Sequence, residues 1–111
     1  MDKKEFVGIL EVRAENLMDV LREREDKRER FTYAKQMLNE RTAQKIRNGL
    51  EGKNQAERDA YLVGKTAEDI EIANIAEKEY KSACLEVEIA ELRLKTHRDR
   101  LRVAELETEE L

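Results

Sequence analysis

Proline and tryptophan are absent from all 111 residues, glycine occurs four times and cysteine once. Without proline, no position loses an amide donor and forces a helix to stop, and with so little glycine the turns must be few and short. Phe6, Phe31, Tyr33, Tyr61 and Tyr80 are the only aromatic side chains, which excludes a broad aromatic-rich globular core. Cys84 stands alone, so no internal disulfide forms, and a reducing compartment suits it. No run approaches the ~20 apolar residues of a membrane span. The apolar run from Phe6 to Leu10 is cut by Glu11 and Arg13, too short for a secretory signal, so the expected setting is the cytoplasm. Net charge is −4, which removes any whole-chain electrostatic attraction to nucleic acid or anionic lipid.

What is present is charge, 43% of all residues, threaded by apolar residues at helical spacing. The organising stretch is residues 67–110. Ala73, Ala76, Tyr80, Ala83, Val87, Ala90, Leu94, His97, Leu101 and Ala104 advance by alternating threes and fours, the step that holds one stripe against a partner helix. A second ladder of Ile75, Leu85, Ile89, Leu92, Val103 and Leu106 shares the segment, interrupted by Lys78, Ser82, Thr96 and Asp99. At ~100° per residue it points roughly 160° away from the first. A helix with two opposed apolar sides needs two neighbours, and the remaining chain supplies one. Self-association through Leu85, Ile89, Leu92, Val103 and Leu106 is therefore expected.

Residues 3–48 form the first helical candidate, with a seam of Phe6, Leu10, Ala14, Leu17 and Leu21 that resumes at Phe31, Ala34, Leu38, Thr42 and Ile46. Nine consecutive charges separate the two halves, from Arg22 to Arg30, and Arg24 and Arg28 fall where the stripe would continue. Gly49 and Gly52 then signal a stop, Asn54 an N-cap, and Glu57 its capping-box partner. The bend is expected over 49–66, with a short helix at 55–63 ended by Gly64, and Thr66 capping the long helix with Asp69 as its box residue. Residues 22–47 hold nine basic and five acidic side chains, whereas 59–92 hold three basic and nine acidic. An antiparallel pairing sets these segments side by side. The fold expected is all-α: one domain, a long coiled-coil-like antiparallel helical hairpin with a short helix at the bend, dimerising into a four-helix bundle.

Chemistry has little to work with. His97 is the only histidine, and Leu94 occupies the position three before it where di-iron bundles place glutamate, so His97 reads as a polar seam residue that tunes register. Cys84 has mixed helical neighbours, Tyr80, Lys81, Val87 and Glu88, and reads as a packing residue. Gly49 and Gly52 lack the Lys-Ser or Lys-Thr continuation of a phosphate-binding loop. The expectation is a non-enzymatic chain with no metal and no cofactor.

Nucleic acid is the alternative partner. Arg93, Arg98 and Arg102, with Lys95 and Arg100 among them, would join Arg24 and Arg28 in a basic band, although Glu23, Glu25, Asp26, Glu29 and Asp99 interleave with it and no aromatic lies there to stack on bases. At the bend, Tyr61, Leu62 and Lys65 form a second candidate contact; Tyr61 and Leu62 equally serve to close the end of the core.

The segment Gly52-Lys53-Asn54-Gln55-Ala56-Glu57-Arg58-Asp59-Ala60-Tyr61-Leu62 resembles the turn of small bacteriophage and prophage proteins of helical-hairpin type, across about a dozen residues. That resemblance implies a phage-borne accessory protein that assists replication or recombination, or blocks a host factor, through a host or phage protein partner.

Overall fold

The computed structural model describes residues 2–110, with side chains described for 2–108. It is all-helical, consisting of α1 (Lys3–Arg47) and α2 (Gln55–Glu110). The chain divides into two units: residues 1–25 with 82–111, and the turn-bearing residues 26–81. In both, a segment of α1 lies antiparallel to a segment of α2.

Local chemistry fixes the helix ends. Asp2 Oδ1 accepts from the Glu5 amide at 2.8 Å and so caps α1. After Arg47 the Gly49 amide donates to the Ile46 carbonyl at 3.2 Å, with Gly49 at φ +91°, a left-handed C-terminal stop. Gly52 is at φ +145°, and a Cβ there would lie 2.8 Å from the Arg58 backbone nitrogen. Asn54 Oδ1 accepts from the Glu57 amide at 2.9 Å, as expected, while Glu57 Oε2 reaches back to the Lys53 amide at 2.6 Å.

The expected short helix at 55–63 does not end at Gly64. α2 is a single helix of 56 residues, and the connector shrinks to residues 48–54. Thr66 does not cap a helix; its Oγ1 donates to the Leu62 carbonyl four residues earlier, at 2.8 Å. Asp69 serves no capping box. The cause is tertiary. Continued backward from Ala73, the three-four alternation lands on Asp69, Thr66 and Leu62, and all three are withdrawn from solvent, Thr66 to 3% and Asp69 to 8% exposure. Burial of that extra turn and a half offsets the ~1 kcal/mol a helical glycine costs, and Gly64 faces open space.

In the turn-bearing unit the buried residues are small or polar: Ala34 on α1, and Thr66, Asp69 and Ala73 on α2. Phe31 and Tyr80 stack with ring centroids 6.1 Å apart, and Lys35 Nζ lies 4.3 Å above the Phe31 ring. Lys27 Nζ pairs with Glu79 Oε2 at 3.4 Å, and Arg41 Nη1 with Asp69 Oδ1 at 2.6 Å. In the other unit the core is Ala83, Val87 and Ala90, with Val87 fully buried and His97 at 8% exposure. Lys3 pairs with Glu105 at 3.5 Å.

The first stripe of α2 is withdrawn from solvent at every expected position, whereas the α1 seam needs correction. Arg24 is half-buried where the stripe is expected to continue, but Ala14, Arg28 and Ile46 are exposed, and Arg13, Val20, Lys27 and Lys45 are half-buried instead. The alanines of α2 leave room for long basic side chains on α1 to lay their methylene stems across the seam and carry their charges to its edge.

Candidate functional site

The unit of residues 1–25 and 82–111 presents the expected second ladder bare. Leu85 is 56% exposed, Ile89 42%, Leu92 64%, Val103 54% and Leu106 51%. On α1 of the same unit Val12 is also exposed, beside a shallow depression lined by Glu5, Gly8, Ile9 and Arg13. Scattered exposed aliphatics are ordinary on a protein surface; these follow the heptad spacing that packing helices use.

Beside that ladder runs a groove of about 270 Å³ lined by Arg13, Leu92, Arg93, Thr96, His97 and Arg100, without a carboxylate. Among the described residues, none of these three arginines has an acid within salt-bridge distance, whereas Arg22 in the same unit has Asp19 at 3.7 Å. Arg93 and Arg100 are seven residues apart, one column of α2 between the buried stripe and the exposed ladder. Glu86 belongs to that column, seven residues before Arg93.

On α2 the arginines of the expected band divide between two edges. At ~100° per residue, Arg98 and Arg102 fall on the edge of α2 opposite Arg93 and Arg100. Arg24 is half-buried on the α1 seam, and Arg28 belongs to the turn-bearing unit. The cluster that forms instead includes Arg13, which the sequence reading passed over because Ala14 seemed to hold the seam.

His97 Nε2 lies 3.1 Å from the Phe6 carbonyl oxygen, and the two rings are 5.3 Å apart at 34°. A carbonyl only accepts, so Nε2 carries the proton. The histidine is thereby engaged in tying the start of α1 to α2. No group of His, Cys, Asp and Glu side chains among the described residues is arranged to hold a metal ion. Cys84 is a free, half-buried thiol.

In the turn-bearing unit, a groove of about 440 Å³ runs between Tyr33, Met37, Ile72 and Ile75, edged by Arg41 and Asp69. At the turn Tyr61 and Leu62 are half-buried and Lys65 is exposed, with its Nζ 5.6 Å above the Tyr61 ring. No helix among the described residues is long and apolar enough to cross a membrane. In comparisons with protein-family models, curated proteins and solved structures, nothing matches this chain.

Proposed function

We propose that this chain is a non-enzymatic interaction protein that acts as a homodimer, two copies packing through the Leu85, Ile89, Leu92, Val103 and Leu106 ladder into a four-helix bundle. One observation carries the reading: five large aliphatic side chains, each 42% exposed or more, follow the heptad step along α2 on the side away from its buried stripe. Covering such a ladder gains roughly 25 cal/mol for each Å² of apolar surface removed from water. A pair of helices with alanine-rich contacts has little other apolar surface to bury.

The resemblance of the Gly52–Leu62 turn to phage and prophage proteins supports a phage-borne accessory role in the cytoplasm, exercised through contact with a host or phage protein. The test of the dimer is light scattering of the purified chain in dilute solution. Twice the chain mass is expected, falling to the single-chain mass in Leu92→Glu; a wild-type monomer at every concentration would sink the reading.

Nucleic acid is the second reading, favoured by the acid-free lining around Arg13, Arg93 and Arg100. It calls for salt-sensitive oligonucleotide binding that weakens when Arg93 and Arg100 become glutamine. The division of arginines between two edges of α2 gives a phosphate backbone a narrower grip than the expected band.

A further inference from the structure

We propose that the Arg13–Arg93–Arg100 groove is the receptor for Glu86 of a second copy, so that the two α2 helices of the dimer run antiparallel and exchange this contact in both directions. The inference rests on the homodimer reading above and deepens it by fixing orientation and naming the polar residues that select it.

Two observations lead there. Three arginine side chains, Arg13, Arg93 and Arg100, contribute to the lining of this groove of about 270 Å³, which holds no carboxylate and is bordered by Leu92 of the bare ladder. Its natural occupant is a carboxylate carried on an apolar helix face. Such a helix is available in α2, where exposed Glu86 is flanked by exposed Leu85 and Ile89. A carboxylate entering there adds opposite charge beside three arginine side chains that have no acid of their own in the groove.

Orientation follows from the columns. When two helices pair antiparallel through one ladder, the column flanking it on one side meets the same column of the copy. The column here reads Glu86, Arg93, Arg100. Antiparallel pairing centred between residues 86 and 93 sets each Glu86 against Arg93 of the copy and avoids stacking Arg93 on Arg93. Parallel pairing sets this column against that of Glu88, Lys95 and Arg102, which places Arg100 beside Lys95. It also stacks Asp99 on Asp99 of the copy inside the ladder, two carboxylates facing each other among aliphatic side chains. Antiparallel pairing moves the two Asp99 side chains apart.

The experiment uses sedimentation velocity on the full chain. Glu86→Arg is expected to raise the dimer dissociation constant by on the order of tenfold, since each dimer loses two attractive contacts and gains two repulsive ones. Arg93→Glu with Arg100→Glu should do the same, and the three changes together should restore dimerisation. All three positions are exposed in the monomer, and circular dichroism verifies that helicity is kept. In a Cys84→Ala background, Val103→Cys under mild oxidation should give no Val103–Val103 crosslinked dimer, because antiparallel pairing about this column holds the two positions many turns apart.

Rapid crosslinking at position 103, or a wild-type dimer indifferent to Glu86→Arg, overturns the inference while leaving the homodimer standing. A wild-type monomer ends both. If a short oligonucleotide binds the wild type, is lost with Arg93→Glu and Arg100→Glu, and Glu86→Arg leaves dimerisation untouched, the groove belongs to nucleic acid and the inference is overturned.

Discussion

Arg41 Nη1 meets Asp69 Oδ1 at 2.6 Å, joining a carboxylate that is 10% exposed on α2 to a guanidinium that is 52% exposed on α1. The asymmetry matters. Asp69 sits on the seam where Thr66 and Ala73 are buried, so its carboxylate relies on Arg41 for a hydrogen-bond donor, while Arg41 keeps access to water. Arg41→Ala is expected to cost about 1–2 kcal/mol in urea unfolding, because it strands a nearly buried carboxylate. Arg41→Ala with Asp69→Ala should recover part of that loss. A single-mutant cost equal to an ordinary surface change would show that the pair contributes nothing.

Gly64 and Gly52 should respond oppositely to alanine. Gly64 lies within α2 with open space where a Cβ would sit, so Gly64→Ala is expected to stabilise by about 0.5–1 kcal/mol and raise the melting temperature. Gly52→Ala forces a Cβ to within 2.8 Å of the Arg58 nitrogen at φ +145°, and should lower it. Destabilisation by Gly64→Ala would mean that α2 breaks in solution where the sequence signals suggested.

His97 should appear by nitrogen-resolved NMR as the tautomer protonated at Nε2 when neutral, held by the Phe6 carbonyl at 3.1 Å. His97→Ala removes both that bond and the Phe6 ring contact, and is expected to cost about 2 kcal/mol. Amide exchange should accelerate in the first turns of α1. Metal titration should leave the wild-type spectrum unchanged.

Ala83 and Ala90 are 4% and 3% exposed, beside Val87 at 1%. Leucine at either position has no room without separating the helices, so Ala90→Leu is expected to destabilise by about 1–3 kcal/mol. An equal or raised melting temperature would mean that the seam is looser than its burial indicates.

The α2 stripe was legible because its alternation of threes and fours, from Ala73 to Ala104, is carried by apolar or aromatic residues at every step but His97. The continuation through Asp69 and Thr66 was not. Both are polar, both make good capping residues, and Gly64 beside them argues for a stop; only burial against α1, with Arg41 reaching Asp69, overrides those local preferences. The α1 seam misled for a related reason. Ala14 and Ile46 look like core by composition, yet α1 follows its own alternation through Phe6, Leu10, Arg13, Leu17 and Val20, and hydropathy does not mark an arginine whose stem is buried and whose head is wet. The members of the bare ladder could be listed from sequence, because they share one step and one side of α2. The arginine groove could not be found that way, since it draws on Arg13 from the other helix.

The tight connector, with Gly49 and Gly52 in positive φ, has a kinetic consequence. Arg41 finds Asp69 across 28 intervening steps of chain, whereas Phe6 finds His97 across 91. Closing the longer loop first costs more entropy, so the helices should zip from the turn outward, with contacts at the termini made late and opened early.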